Sequence, residues 1–475
     1  MGFFRWIIRS LMFYRRISLG IVLAAAAASA ILAGSLLVGD SVQLTLVRQM
    51  EYRLGRSHAA LLGTETFFRQ DLAGDLAEAL SVETAGVLLL NGRVENSEGT
   101  RRVNQIQVVG VDESFAALSP SGRTGWIETL ADGVALNENL AARLRVEVGD
   151  QIVLSIQKSG GLSAESILFP EDELQYSIRL TVSAAASEEA FGGFGLQADS
   201  SGALNVFVGR DTLAEWIGQS GRANVLLFGE GADTASVRET LRTSFQPEDL
   251  GLELRRIEDL GFLEVRSRNV FLRESIAEGL MSVDPQALGV LTYFVNEIAR
   301  GDRRTPYSMV SAIGSADLRS ENIFNLLADD EIILNEWLAD DLKADAGDTV
   351  TLRYFVPGSK TGELVEQTES FRVHSVMPMM GLGADPTLMP EFPSLAEADH
   401  CRDWEPGIPI DLSRIRPRDE AYWDKYRGSP KAFVSLPAAQ RLWAGRFGNL
   451  TAVRYGQMSE GRLIEALRQA MEPSA

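Results

Sequence analysis

The sequence predicts an α+β fold in which one N-terminal transmembrane helix precedes a duplicated mixed α/β body. Three observations support this prediction. Residues 17–39 form a continuous apolar stretch without a charged residue. Two blocks, residues 134–155 and 332–353, repeat one helix–turn–strand pattern. The 475 residues allow two to four domains at about 100–200 residues each, and each domain is large enough to bury a core.

Pattern and composition divide the chain into segments. A cytoplasmic or interfacial N-terminus, a transmembrane helix and a stalk helix are predicted at residues 1–16, 17–39 and 40–58. The body follows as a first α+β unit, a connecting α/β segment and a second α+β unit, at residues 59–232, 233–300 and 301–475, with an insertion in the second unit near residues 381–426.

Residues 17–39 are long enough to cross a membrane. At about 1.5 Å per residue this helix reaches about 34 Å, and the hydrocarbon layer is about 30 Å thick. Ala28-Ser29-Ala30 also fits the pattern of a signal cleavage site. Because the apolar run continues beyond it, and export-signal cores are typically about 7–15 residues long, we predict an uncleaved span, with cleavage as the alternative.

The charges around the span predict its orientation. Four arginines precede it, and Asp40 follows it. Excess positive charge stays in the cytoplasm, so the N-terminus is predicted inside and residues 40 onward outside, anchored by a single pass. The opening residues mix aromatic side chains with arginines, which is typical of a short interfacial helix. Helical spacing persists after Asp40, so the span is predicted to continue as a stalk to about Arg53.

The charge balance excludes one class of partner. The chain has 65 acidic and 45 basic residues and a formal net charge of −20. Nucleic-acid binding needs a basic face, so no nucleic-acid partner is predicted. The one cysteine, Cys401, cannot form a disulfide within the chain. It lies far from the end of the apolar run at Gly39, where a lipoprotein anchor would need a cysteine.

Gly39-Asp40-Ser41 resembles the start of GDSL-type esterases, in which the serine is the nucleophile. The base of that family is a histidine three residues after an aspartate. Phe371 stands three positions before His374, and Glu397 stands three positions before His400. Since nucleophile and base must lie within about 3 Å of each other, we interpret Ser41 as part of the helix that leaves the membrane.

No catalytic, cofactor-binding or metal-binding residue is predicted, and the chain is not expected to be an enzyme. The sequence has no HExxH motif, no paired CxxC motif and no GxxxxGK[ST] phosphate loop. His400 and Cys401 lie between Asp399 and Asp403, but four side chains on one short loop rarely converge on an ion. The glycine-rich residues 190–202 lack a following phosphate-binding helix and are interpreted as a mobile loop between strands.

The repeated blocks predict the same local structure in both copies. Residues 134–155 read VALNENLAARLRVEVGDQIVLS, and residues 332–353 read IILNEWLADDLKADAGDTVTLR, at a constant offset of 198. Asn137 and Asn335 are predicted to cap a short helix, because an asparagine side chain accepts from the free backbone amides of a first turn. A Gly-Asp turn then leads into a strand.

Apolar residues of the two blocks are predicted to face the core. Leucines at four-residue intervals form one stripe on each helix, and alternating apolar residues form one face of each strand. These residues are Leu136, Leu140, Leu144, Ile152 and Leu154 in the first copy and Leu334, Leu338, Leu342, Val350 and Leu352 in the second.

A second match follows at a larger offset. Residues 205–227 align with residues 431–453 at an offset of 226, and both read as strand, helix and strand. The growth from 198 to 226 predicts a 28-residue insertion in the second copy, within residues 381–426. That stretch is rich in proline, acidic and aromatic residues, so we interpret it as an ordered surface excursion.

The ordered combination of these segments resembles the FtsX-like permease family of ABC transporters, in the form with a MacB-type periplasmic core domain. The resemblance rests on the span and its GDSV exit (residues 15–42), RLGRSHAALLGTETFFR (53–69), the two LNE…GD blocks, and residues 385–454. It implies a single pass through the inner membrane that leads to a large periplasmic domain. ATP-driven motion would pass through the span and the stalk to this domain, which would move a substrate or partner in the periplasm. It also implies an ABC ATPase subunit and further permease spans as partners.

The sequence departs from that family pattern at its end. The family continues toward further spans, whereas this sequence ends with residues 461–475 and holds no second long apolar run. We therefore expect either one piece of a split or truncated permease or a single-span module that works with separate chains. Pairing of two copies as a homodimer is left open.

A second hypothesis is a single-span periplasmic scaffold that recruits an envelope enzyme or a lipoprotein without an ATPase. Its contact surface would be the excursion, with Trp404, Tyr422 and Trp423. A packed structural insertion is the alternative interpretation of these residues. A hydrolase is the third class, and it would lose ester turnover on Ser41→Ala.

Overall fold

Two N-terminal helices and two units, each built around a large β-sheet, make up the part of the chain that the structure, a computed structural model, describes. The described residues are 2–63, 66–122, 124–157, 175–197, 202–315, 323–358, 363–392, 400–401, 404, 410–445 and 447–470.

The two N-terminal helices are α1 (Gly2–Phe13) and α2 (Arg15–Leu54). α2 is one helix of 40 residues that contains the predicted span and residues 40–54 of the stalk predicted at residues 40–58. Among the described residues it is the one helix that is long and apolar enough to cross a membrane, by length and composition. Its apolar side chains are exposed, so no protein core accounts for their character.

The first unit alternates strands with short helices. Its described strands are β1 (Ala59–Leu62), β2 (Phe68–Arg69), β3 (Thr84–Asn96), β4 (Arg102–Val111), β5 (Val134–Asn137), β6 (Gln151–Gln157), β7 (Gln175–Ala186), β8 (Asn205–Gly209), β9 (Arg222–Ala223) and β10 (Val225–Phe228). Its described helices are α3 (Asp71–Leu80), α4 (Glu113–Ala117), α5 (Glu138–Leu144), α6 (Arg210–Trp216) and α7 (Thr234–Ser244).

The first sheet closes on itself. Its strand order is β1-β10-β3-β4-β8-β5-β7-β6, and β6 also pairs with the second half of β3. Six strands therefore form a barrel, and β10 and β1 extend it from the first half of β3. Gly92 lies at the closure, where an added Cβ would meet the Ser155 carbonyl oxygen and Val108 Cγ2, each at 2.9 Å. The close approach of the two strands thus requires a residue without a side chain.

The second unit has a matching set of elements. Its described strands are β11 (Leu252–Ile257), β12 (Phe262–Ser267), β13 (Leu288–Arg300), β14 (Arg303–Ser315), β15 (Glu331–Asn335), β16 (Thr349–Pro357), β17 (Leu364–Met377), β18 (Ala432–Val434) and β19 (Ala452–Tyr455). Its described helices are α8 (Glu274–Val283), α9 (Glu336–Leu342), α10 (Pro417–Tyr426), α11 (Leu436–Trp443) and α12 (Glu460–Ala470).

Short 3₁₀ turns complete the connections of both units. They lie at Glu128–Ala131, Glu188–Ala190, Pro247–Leu250, Glu258–Leu260, Ile323–Asn325, Gly381–Ala384, Pro386–Leu388 and Leu412–Arg414.

The two sheets share one strand topology. The second sheet has the order β11-β12-β19-β13-β14-β18-β15-β17-β16, and β16 pairs back with β13 to close a second six-stranded barrel. The parallel pairs β4–β8 and β5–β7 of the first barrel correspond to β14–β18 and β15–β17 of the second. The fold is therefore mixed α/β, with two barrel-like sheets after one long apolar helix.

The predicted capping of the repeated helices is confirmed. Asn137 Oδ1 accepts from Leu140 N at 3.1 Å, and Asn335 Oδ1 accepts from Leu338 N at 2.8 Å. The turns that follow contain Gly149 at φ +98° and Gly347 at φ +94°. A residue with a side chain would adopt these backbone angles only with a loss of conformational free energy. The leucines of both stripes and the apolar strand residues predicted with them are all fully buried.

Residues 233–300 were predicted to connect the two units, and the structure divides them between the units instead. α7 packs on α3 of the first unit, whereas β11, β12 and β13 are strands of the second sheet. β13 pairs with β14 along nearly its whole length, so it belongs to the second barrel. The units meet at Pro247–Leu250, where buried Asp249 accepts from Arg69 N at 2.9 Å and from Arg69 Nη2 at 3.0 Å.

Candidate functional site at the junction of the long helix and the body

α2 ends where it meets the first barrel. Gly55 follows the helix with φ +59°, and its amide donates to the Glu51 carbonyl oxygen at 2.9 Å. A Cβ at this position would collide with the carbonyl oxygen of Leu118 and with the ring of Phe191. Glycine is therefore required both for the backbone conformation and for the close approach of helix and body.

The chain after the helix joins the first sheet at once. Arg56 N donates to the Leu118 carbonyl oxygen at 2.8 Å, and His58 N donates to the Phe228 carbonyl oxygen at 2.8 Å. β1 follows directly and pairs antiparallel with β10. The helix is thus bound to the sheet by backbone hydrogen bonds, without a flexible linker between them.

A second set of contacts holds the last turn of the helix. Gly195 N donates to the Arg53 carbonyl oxygen at 3.3 Å, and Arg53 Nη2 donates to the Gln197 carbonyl oxygen at 2.6 Å. Both partners belong to residues 187–197, which start the connection from β7 to β8. The backbone and the side chain of Arg53 are therefore fixed by one segment.

Phenylalanines anchor residues 187–197 in the core. Phe191 and Phe194 are both fully buried. The Phe191 ring stacks on Phe115 with centroids 4.5 Å apart, and the Phe194 ring meets Phe115 edge to face at 5.1 Å. Aromatic pairs in these arrangements stabilise beyond the area that they bury.

Side-chain hydrogen bonds fix the same segment. Asn205 Nδ2 donates to the Gly192 carbonyl oxygen at 3.0 Å and to the Phe194 carbonyl oxygen at 2.8 Å. Trp126 Nε1 donates to the Ala190 carbonyl oxygen at 2.8 Å. Residues 190–197 lie between β7 and β8 as predicted, but these contacts anchor them in the core, which disagrees with the prediction of a mobile loop. Residues 198–201 lie outside the described residues.

The structure separates Ser41 from the histidines weighed as its base. Ser41 lies on the exposed part of α2, where its carbonyl oxygen accepts from Thr45 Oγ1 at 2.8 Å. His374 and His400 both belong to the second unit, and His374 Nδ1 lies 3.1 Å from Glu331 Oε2. The interpretation of Ser41 as part of a helix agrees with this placement.

His400, whose loop was not predicted to bind a metal, comes together with two acidic residues of another element. Ligand atoms of His400, Glu420 and Asp424 lie within 4.8 Å of one another, and these residues could hold a metal ion. Glu420 and Asp424 lie four residues apart on α10, so neighbours in sequence could not reveal the group. Asp399 and Asp403 lie outside the described residues.

The three aromatic residues of the excursion (residues 381–426) that the scaffold hypothesis named as a contact surface are buried. Trp404, Tyr422 and Trp423 are 6%, 3% and 4% exposed. The rings of Trp404 and Trp423 meet edge to face at 4.9 Å, and both pack in a cluster with Phe294 and Phe392. The described aromatic residues of the excursion therefore pack as part of a structural insertion against β13 and β14.

Comparison with known proteins gives similarity to solved structures alone. No family model matches the chain, and no curated protein matches it. The chain is similar to the periplasmic region of MacB from Actinobacillus actinomycetemcomitans, with 11% identity and a TM-score of 0.26 over 42% of this chain and 88% of that chain. It is also similar to the extracellular domain of the noncanonic ABC-type transporter YknZ from Gram-positive bacteria, with 12% identity and a TM-score of 0.23 over 38% of this chain and 86% of that chain.

Proposed function

We propose that this chain is the membrane-anchored extracytoplasmic part of an FtsX- and MacB-like ABC transporter permease, which acts in export or mechanotransmission across the inner membrane. The observation that carries the proposal is the junction. A helix with the length and composition of a membrane span runs unbroken to Leu54 and binds the first sheet through backbone hydrogen bonds.

The junction suits the transfer of motion. The last turn of α2 and the residues after it are hydrogen-bonded to three separate parts of the first unit: residues 187–197, the connection after α4, and β10. A tilt or rotation of the helix would therefore move the first barrel with it. A flexible linker would absorb such a motion instead.

The charge distribution supports the orientation in this proposal. The arginines before the span favour a cytoplasmic N-terminus, which puts the two barrels in the periplasm. Energy would come from an ABC ATPase subunit acting through further spans, and the chain itself would perform no chemistry. Its role would be to move a substrate or a periplasmic partner.

Reporter fusions test the orientation. Alkaline phosphatase folds only outside the cytoplasm, so a fusion after residue 58 should be active and one after residue 16 should be inactive. The opposite pattern would contradict the proposal, as would recovery of the chain from the soluble periplasm with its N-terminus near Ala30.

Purification from membranes tests the partners. An ATPase and a multi-span chain should copurify with this protein after mild solubilisation. Recovery of an envelope hydrolase or lipoprotein without an ATPase would contradict the permease assignment and favour the scaffold hypothesis.

A further inference from the structure

A small cavity lies between the excursion and the outer face of the second barrel. The volume that water centres can occupy in it is about 30 Å³. Because one water needs about 10–15 Å³ of such volume, the cavity has room for two or three waters. Its walls are mainly aromatic and apolar, and the rings and apolar side chains around it include Phe294, Tyr307, Met309, Trp404, Tyr422 and Trp423.

A buried amine lines this cavity. Lys431 is 4% exposed, and its Nζ lies 4.6 Å from the ring centroid of Trp337 and 4.9 Å from that of Tyr422. The two rings attract an ammonium but provide no lone pair for its N–H groups. Within the described ranges, the Lys431 amine makes neither a hydrogen bond nor an ion pair.

The carboxylates nearest to this amine are already paired. Asp419 accepts from Arg416 Nε at 2.8 Å and from Arg416 Nη2 at 2.9 Å, and Asp341 accepts from Arg416 Nη2 at 2.6 Å. Burial lowers the pKa of Lys431 to about 8, against the raising influence of Asp419, Cys401 and Asp341. A buried ammonium without its own counter-ion is unfavourable, so the site favours the entry of an anion.

The other unsatisfied group on the cavity wall is also a donor. Trp404 Nε1 is buried and has no hydrogen-bond partner among the residues described. The tyrosine hydroxyls are satisfied, since Tyr307 Oη accepts from Asp411 N at 2.6 Å and Tyr422 Oη donates to the Ser429 carbonyl oxygen at 3.0 Å. A ligand must therefore supply acceptors for an amine and an indole N–H.

We propose that this cavity binds a small monocarboxylate of the size of formate or acetate. One negative charge matches the single uncompensated amine of Lys431. Two carboxylate oxygens match the two free donors, because one can accept from Lys431 Nζ and the other from Trp404 Nε1. The aromatic walls accommodate the apolar end of acetate.

Titration calorimetry on the purified full chain in detergent, with sodium formate and sodium acetate at constant ionic strength and pH 7, tests the proposal. We expect saturable binding of one carboxylate per chain. Lys431→Met should weaken it at least tenfold, and Trp404→Phe, which keeps the ring and removes the donor, should weaken it about 3- to 10-fold. Lys425→Met is the matched control, because Lys425 is an exposed lysine on α10, and it should leave the affinity unchanged.

Three results would overturn the proposal. The first is the absence of saturable binding to the folded chain, which would mean that water alone fills the cavity. The second is equal affinity in the unaltered chain and in Trp404→Phe, which preserves the packing even where Lys431→Met does not fold. The third is displacement of acetate by equimolar chloride, which would show a site for any small anion rather than for a carboxylate.

Discussion

The two units differ most at the same place in their shared topology. In the first unit the connection from β7 to β8 begins with residues 187–197, which hold the end of α2. In the second unit the connection from β17 to β18 contains the longer excursion, which packs against β13 and β14 and lines a cavity. A change in one connection between strands therefore adapts the same sheet topology to two different structural roles.

Aligned residues at the end of each connection illustrate the change. Asn205 begins β8, and Lys431 precedes β18 at the aligned position. Asn205 donates to the Gly192 and Phe194 carbonyl oxygens and thereby fixes the segment that holds the helix. Lys431 instead lies against the rings of α9 and α10 and lines the cavity.

The repeated helices differ at the positions that α10 contacts. Trp337, Asp340 and Asp341 of α9 align with Asn139, Ala142 and Arg143 of α5. Arg418 of α10 lies 4.8 Å from the Trp337 ring centroid, and its Nη2 donates to Asp340 at 2.7 Å. The first unit lacks these aromatic and acidic partners, so its helix could not bind a segment like α10.

The largest expected loss of stability comes from a substitution that breaks the ion pairs between the excursion and the second sheet. Arg454 is 1% exposed and pairs with Glu264 at 2.6 Å and with Asp385 at 2.7 Å. In the first unit the aligned residue is the apolar Phe228. Arg454→Met should lower the free energy of unfolding of the second unit by about 3–5 kcal/mol, because two buried carboxylates lose their counter-charge.

Urea unfolding monitored by tryptophan fluorescence measures this loss. Arg441→Met is the control, since Arg441 is half-exposed and its pair with Asp329 at 3.3 Å should contribute at most about 1 kcal/mol. Equal losses in the two variants would show that the buried network does not hold the excursion.

The next largest effect comes from a substitution at the junction between α2 and the first barrel. Gly55→Val places a β-branched side chain at φ +59° and against the Leu118 carbonyl oxygen, and it should destabilise the junction by about 2–4 kcal/mol. Hydrogen exchange should then accelerate at the amides of Arg56 and His58. Gly39→Ala is the control, because a Cβ there meets nothing within 4 Å, and it should leave both amides protected. Unchanged exchange in Gly55→Val would contradict the close contact of helix and barrel.

Local sequence signals predicted the parts of the fold that neighbours in sequence determine. Asn137 and Asn335 cap their helices as predicted, because the capped amide lies three residues away. The apolar stretch and the helical spacing after it predicted α2 nearly to its end at Leu54. These interactions need no knowledge of the rest of the chain.

Long-range pairing could not be predicted in the same way. Arg454 and Glu264 are separated by 190 residues and Arg454 and Asp385 by 69, so no local pattern links them. The hold of residues 187–197 on the helix depends on Phe191 and Phe194 reaching a core formed by other strands. Barrel closure likewise requires β6 to return to β3, which alternation within either strand does not specify.

A smaller effect concerns the residue that stabilises the first connection. Asn205→Ala should lower the free energy of unfolding of the first unit by about 1–3 kcal/mol, because two buried carbonyl oxygens lose their donor. The amide of Gly195, which bonds to the end of α2, should exchange faster. Asn104→Ala on an exposed position of β4 is the control and should change stability by no more than about 0.5 kcal/mol. Slow exchange at Gly195 in Asn205→Ala would mean that the phenylalanines alone hold the segment.

The smallest expected effect is a difference between the two units in how their stability depends on pH. Hydrogen bonds from Lys343 and Arg418 lower the pKa of Asp340 to about 2. A carboxylate with a depressed pKa stabilises the folded state above its unfolded pKa of about 3.9 and loses that contribution as pH falls through the folded value. The contact of α9 with α10 should therefore weaken between about pH 4 and pH 2, and the fluorescence of Trp337 should report it. Asp340→Asn should flatten this dependence, and α5, which has Ala142 at the aligned position, should show no such component. An identical pH profile for Asp340→Asn and the unaltered chain would assign the acid sensitivity to other carboxylates and remove this electrostatic difference between the units.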